Sequence, residues 1–143
     1  MSYEVRDRDL LARIGRLHTK SGTIETPLLF PVVNPTIQPI SPSELWEKFG
    51  FEALITNAYI LRKRFGEQPV KMGIHDFLNF NGVVMTDSGA YQLLIYGELD
   101  VKPEEIVAYQ EQINVDIATI LDVPTGWNVK RSYAEETVNE TIR

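Results

Sequence analysis

The chain contains no cysteine and only two histidines among its 143 residues. Without cysteine there are no disulfide staples, thiolate nucleophiles or cysteine-ligated zinc or iron–sulfur sites in this stretch, and the composition suits a reducing cytoplasm, where the protein is expected to reside. His18 and His75 offer no metal-ligand spacing. His18 is assigned to a hairpin surface and His75 to the start of a helix, rather than to catalysis. Positive charge is also scarce, 14 basic residues against 20 acidic for a net charge of −6. A nucleic acid would therefore have to be gripped by a local patch and not by the overall field. The best such patch is Arg62-Lys63-Arg64, either a solvated helix face or a phosphate contact.

Long apolar runs are missing as well. Nothing approaches the ~18 residues of a membrane span, and Met1 to Leu11 alternates charge and polarity without the apolar centre of a secretory signal, so no membrane partner is expected. There is no Walker-type or dinucleotide-binding glycine loop, no solenoid repeat and no Gly/Ser linker. What is present, 43% hydrophobic and 24% charged residues, describes one globular domain with a packed core.

Along the chain, short apolar runs alternate with helix patterns. Leu10 to His18 and Thr23 to Glu25 flank Ser21-Gly22 and predict a hairpin. Strands are predicted over Leu28 to Val33, Ala53 to Thr56, Gly82 to Thr86 and Ile117 to Val123, nearly continuous in hydrophobicity as strands covered on both faces are. Ser41-Pro42-Ser43-Glu44 spells a capping box with proline at the first helical position, after which Leu45 and Phe49 share a face and Gly50 ends the helix. Pro103-Glu104-Glu105 opens a helix with Ile106, Gln110 and Ile113 on one stripe. Ser132 to Arg143 has helix-forming composition without a stop signal. Strand and helix in alternation imply right-handed parallel βαβ units, in a doubly wound sheet or a (β/α)₈ barrel.

Each apolar run is followed by a polar side chain: Asn34, Asn57, Asp87 and Asp122. Such groups at the C-terminal ends of parallel strands converge on one pocket in both architectures, although Asn and Asp also start loops by bonding their own backbone. The most specific string is Thr86-Asp87-Ser88-Gly89-Ala90-Tyr91-Gln92. It places a carboxylate at a strand end, a glycine where the backbone must turn beneath a ligand, and an aromatic face nearby, suggesting an acid/base beside a planar ligand; an Asx-turn with a packed tyrosine is the other reading. Asp122, in Leu121-Asp122-Val123-Pro124-Thr125, is expected to be buried between apolar neighbours, where N–H donors such as those of a guanine edge would hold it ionised. Asp87 and Asp122 could also be a glycosidase pair or oxygen ligands of a hard cation.

These strings, with Thr26-Pro27, Phe30-Pro31-Val32, Thr56-Asn57-Ala58-Tyr59, Gly73-Ile74-His75 and Gln110 before Val115-Asp116-Ile117, resemble the tRNA-guanine transglycosylases over essentially the whole chain. Leu121-Asp122-Val123-Pro124-Thr125 sides with the archaeal branch, where the bacterial branch typically has Phe-Asp-Glu-Cys. The resemblance implies exchange of guanine in the tRNA dihydrouridine arm for 7-cyano-7-deazaguanine, in archaeosine formation, through a covalent ribosyl-aspartate. It implies Asp87 as general acid/base with Ser88 beside it, Tyr91 stacked on the base, Asp122 on the guanine-like edge, and Asn57 holding the ribose or Asp87. The family's nucleophilic aspartate and zinc-binding Cys/His cluster belong to the later half of its barrel, which usually needs about 250 residues. Residues 1–143 are thus expected to be the N-terminal half of a partial (β/α)₈ barrel preceded by a hairpin, inactive alone and exposing a strand edge. Zinc, a homodimer and C-terminal RNA-binding domains are expected only of the full-length protein. A non-catalytic base- or RNA-binding half and a two-carboxylate glycosidase are the rival readings.

Overall fold

The computed structural model describes residues 1–91 and 101–142. An antiparallel sheet comes first: β1 (Ser2–Asp9), β2 (Ala12–His18) and β3 (Thr23–Thr26), in that order. A parallel sheet follows, in the order β4 (Val32–Val33), β5 (Ala53–Asn57), β6 (Val83–Asp87) and β7 (Ile117–Ala118). Between its strands lie α1 (Pro42–Glu47), α2 (Ala58–Phe65), α3 (Gln68–Met72), α4 (Ile74–Leu78) and α5 (Pro103–Gln112), with α6 (Arg131–Thr141) after β7. The parallel strands neighbour one another in chain order, with no reversal of the kind that makes a switch point in a doubly wound sheet. Among the described residues no helix is long and apolar enough to cross a membrane.

Period-two alternation divides the residues of β5 and β6 between two faces. Leu54 and Val84 join the helix-side core with Leu61, Ile74, Phe80, Ile106 and Ile113, all essentially inaccessible. Ala53 and Val83, at the starts of their strands, join Ile24, Leu17 and Ile117 in a second cluster. The β2–β3 hairpin therefore caps the N-terminal end of the parallel sheet. Gly82 is required at that end, since a Cβ there would lie 2.4 Å from the Glu52 carbonyl oxygen.

The predicted capping box is present: Ser41 Oγ accepts from the Glu44 amide at 3.3 Å and Glu44 Oε2 accepts from the Ser41 amide at 3.2 Å. Donation from Lys48, then from Ser41, draws the Glu44 carboxyl down to about 2. Other expectations need correcting. The hairpin has an additional strand, β1, whose alternation Tyr3, Val5 against Glu4, Arg6 carried too little apolar signal because most of it faces solvent. The first parallel strand is two residues long and not the whole of Leu28–Val33, because Pro27 and Pro31 lack the N–H that a ladder needs. Helix α1 ends at Glu47, so Phe49 lies beyond it and is 58% exposed rather than packed beside Leu45. The fourth strand stops at Ala118, well short of Val123.

Candidate functional site at the C-terminal end of the parallel sheet

Asn57 and Asp87 are the last residues of β5 and β6 and stand opposite one another in the parallel register. Sharing a parity with Ala53 and Val83, they project on the face away from the helix-side core. Asn57 Nδ2 donates to Asp87 Oδ2 at 2.9 Å, while Asn57 Oδ1 accepts the Ile60 amide at 2.8 Å as the N-cap of α2. One side chain thus starts the helix and aims the carboxylate. The Gly89 amide reaches Asp87 Oδ1 at 3.3 Å from a backbone position at φ 100° that glycine tolerates. Both residues line a cavity of about 410 Å³, together with Val33, Asn34, Ile55, Ile60 and Tyr91. That volume lies within the range of small-molecule sites, and its walls are mostly apolar with a few converging polar groups. The contact of the Gly89 amide with Asp87 Oδ1 is the Asx-turn of the alternative reading, whereas Tyr91 is 64% exposed at the rim and not packed. Asn34 also lines the cavity, but its Oδ1 accepts from the amide and hydroxyl of Thr36 at 2.9 and 2.8 Å, a loop-starting role. Gln92 lies outside the described residues.

Ser88 and Asp122 sit differently from Asn57 and Tyr91. Ser88 is buried; its hydroxyl donates to the Ile120 carbonyl at 2.8 Å and its amide donates to Thr119 Oγ1 at 2.9 Å. It fastens the segment after β7 to the turn after β6 and does not line the cavity. Asp122 is exposed, not buried, and is absent from the cavity wall. It is carried past the sheet because β7 ends four residues earlier, at Ala118. Of the two carboxylates weighed as a glycosidase pair or as ligands of a hard cation, Asp87 lines the cavity and Asp122 does not, and among the described residues no group of three or more His, Cys, Asp or Glu side chains could hold a metal ion.

Sequence reasoning missed Thr119 and gave Gln110 a place on a stripe and in the resemblance, but no role. Gln110 is wholly buried: its Oε1 accepts from Thr86 Oγ1 at 2.7 Å and the Thr119 amide at 3.1 Å, and its Nε2 donates to the carbonyls of Thr119 at 2.9 Å and Ile106 at 3.3 Å. Thr119 Oγ1 in turn donates to the Thr86 carbonyl at 3.0 Å. These side chains continue the β6–β7 pairing where the backbone ladder stops, and so place Asp87 relative to the next loop. A glutamine on an otherwise apolar stripe was the available signal, since a buried amide requires partners.

At the opposite end, His75 Nε2 donates to Asp116 Oδ2 at 3.0 Å and lies 3.1 Å from Ser21 Oγ. Asp116 also accepts the amides of Val84 at 2.9 Å and Ser21 at 3.0 Å. Burial alone would push the Asp116 carboxyl up, yet these donors hold it well below the usual carboxylate range. His75 is thus a structural tie between α4, the hairpin turn and β7. His18, on β2, bonds Thr23 Oγ1 at 2.9 Å on the hairpin surface, as expected. In the basic run, Arg62 pairs with Glu105 at 3.1 Å and Lys63 donates to Tyr59 Oη at 2.9 Å, while Arg64 is exposed.

Comparison with known proteins now adds to this geometry. A family model described as queuine tRNA-ribosyltransferase matches residues 7–143. A tRNA-guanine(15) transglycosylase of Aeropyrum pernix is 52% identical over 141 residues, covering 99% of this chain and 27% of that protein. Its namesake from Methanopyrus kandleri is 46% identical over 145 residues, covering 100% and 31% respectively. That of Nanoarchaeum equitans is 48% identical over 125 residues, covering 87% and 30%. The chain therefore spans less than a third of the length of these curated relatives.

Proposed function

The chain belongs to the queuine tRNA-ribosyltransferase family, and from that premise we propose that it forms the base-recognition part of a cytoplasmic archaeal-type enzyme that exchanges guanine in the tRNA dihydrouridine arm for 7-cyano-7-deazaguanine. The observation that carries this reading is the Asn57–Asp87 hydrogen bond of 2.9 Å at a cavity rimmed by Tyr91. A flat heterocycle placed there has an aromatic face to stack on and an aimed carboxylate at its edge. Asp87 is the general acid/base: it exchanges a proton with the departing or arriving base while the bond at ribose C1′ breaks or forms. Asn57 positions it. Tyr91 stacks on the base, Ser88 anchors the loop after β7, and Asp122 on that loop accepts hydrogen bonds from the N–H-rich guanine edge once a base is bound. No aspartate here is assigned the role of nucleophile, and no step is routed through zinc.

The sequential order of β4 to β7 supports reading the parallel sheet as the first four strands of a (β/α)₈ barrel, with the hairpin closing its N-terminal end. Catalytic groups of such barrels gather at the C-terminal face, where Asn57 and Asp87 stand. Incorporation of labelled guanine into tRNA tests the reading. Exchange is expected from the full-length protein and not from residues 1–143 alone. Release of guanine without replacement would favour the glycosidase, and tRNA binding by the full-length protein without exchange would favour the non-catalytic module.

A further inference from the structure

The backbone ladder between β6 and β7 pairs Met85 with Ile117 and Thr86 with Ala118, and there it stops. The next pair in that register is Asp87 opposite Thr119, just past the end of β7. In a parallel ladder, a residue facing Asp87 would give its peptide N–H to the Thr86 carbonyl and take the Ser88 amide on its own carbonyl. Thr119 makes both bonds with its side chain instead: its hydroxyl donates to the Thr86 carbonyl at 3.0 Å and accepts from the Ser88 amide at 2.9 Å. Its peptide groups are turned towards α5, where Gln110 Oε1 accepts the Thr119 N–H at 3.1 Å and Gln110 Nε2 donates to the Thr119 carbonyl at 2.9 Å.

A single hydroxyl thus holds the peptide groups on both sides of Asp87. The remaining capacity of the Gln110 amide is taken by Thr86 Oγ1 at 2.7 Å and the Ile106 carbonyl at 3.3 Å, so it has no bond left to give elsewhere. Thr86, Ser88 and Gln110 are all buried, and every bond in this set is made between residues of the chain's own interior and its edge at Thr119. On its other side Asp87 meets a complete ladder, with Asn57 opposite it and bonded to its carboxylate at 2.9 Å. Few torsions separate an aspartate's backbone from its carboxylate, so a rotation of the flanking peptides is carried directly to the acid. We propose that Thr119 is a positioning residue for guanine exchange, its hydroxyl setting the line along which the Asp87 carboxylate meets the base. This rests on the exchange reading above and deepens it: Asn57 aims the acid from the β5 side and Thr119 from the β7 side. Thr119 does not line the cavity and touches no reacting atom.

The test measures incorporation of labelled guanine into tRNA by the full-length protein. Thr119→Val keeps the shape and removes the hydroxyl; it is expected to lower kcat by about 10- to 100-fold, the scale of a misplaced catalytic group, with the KM for tRNA changed by less than about twofold. Thr119→Ser, which retains the hydroxyl, is expected to stay within about threefold of the wild type. Thr119→Ala, with no group set in the hydroxyl's place, serves if Thr119→Val does not fold and is expected to show the same split. Asp116→Ala separates aim from stability, since it weakens the far end of the sheet and is expected to keep kcat in the molecules that remain folded. A wild-type kcat in the hydroxyl-free variants would overturn the proposal, as would a Thr119→Ser as slow as Thr119→Val or the same kcat loss in Asp116→Ala. If the wild type exchanges guanine and kcat does not depend on the hydroxyl, only this inference fails. If the wild type exchanges nothing, the exchange reading fails, and guanine binding measured by calorimetry decides this one: weaker binding by Thr119→Val sustains it and equal binding overturns it.

Discussion

Asp116 and Asp87 stand at opposite ends of the same parallel sheet and differ in what surrounds them. Asp116, just before β7, has a side chain with no solvent exposure, and it receives donors from His75, Val84 and Ser21. Asp87, at the end of β6, receives Asn57 Nδ2 and a longer contact from Gly89, and it lines an open cavity. A carboxylate offers about four acceptor sites. Where the protein's own donors occupy an enclosed carboxylate, as at Asp116, the group ties elements together. Where a carboxylate is aimed but still open to a cavity, as at Asp87, its remaining acceptor capacity is available to a ligand. The two ends of the sheet thus differ: one carboxylate is enclosed by the protein's own donors and the other faces a cavity.

That contrast can be broken by substitution. The largest effect expected is that of Asp87→Asn in the full-length protein: kcat for guanine exchange should fall by about 10² to 10⁴ with the urea midpoint nearly unchanged. A comparable loss of stability would mean that Asp87 belongs to the structural class. Asp116→Ala should do the reverse, removing about 3 kcal/mol in urea unfolding by stranding several donors, with kcat retained in the molecules that remain folded. Because the folded-state pKa of Asp116 is depressed, its contribution to stability is fully present above the ordinary carboxylate value of about 4 and is lost as pH falls below it. Asp116→Asn should accordingly flatten the acid limb of a stability–pH curve; an unchanged limb would sink the assignment. Gln110→Leu, similar in volume but without the amide, should cost about 2 kcal/mol by leaving Thr86 and the Thr119 backbone unpartnered. Asn57 lies on the boundary. Asn57→Ala should remove about 1 kcal/mol as a lost helix cap and reduce kcat by less than Asp87→Asn does, since the carboxylate would be misaimed but still present.

How much of this was legible from residues alone varies from one element to the next. The box at Ser41, the strands around Leu54 and Val84, and the helix opening at Pro103 could be read because each is a local signal: a cap, an apolar run, a proline at the first turn. Asn57 and Asp87 could be placed at strand ends for the same reason. The lengths of β4 and β7 could not, because pairing depends on what a neighbouring strand offers and not on the hydrophobicity of the run itself. The resemblance set Ser88 beside Asp87, but an Asp-Ser-Gly string says nothing about which of its side chains points into a cavity, and Ser88 instead bonds the segment after β7. The ties through Gln110, Thr119 and Asp116 join residues too far apart in the chain for spacing to reveal.

The order of residues alone decided the kinds of element, the kinship carried by Thr86 to Tyr91 and Leu121 to Thr125, and the chemistry available at Asp87. Folding in three dimensions decided that Asn57 aims that carboxylate, that Asp122 stands outside the cavity, and that His75 serves the frame. The physical reason is that propensity and capping act over one or two turns of chain, whereas a hydrogen bond between side chains on neighbouring strands exists only once a register has been set, and the Asn57–Asp87 register is made by contacts spread over the whole sheet.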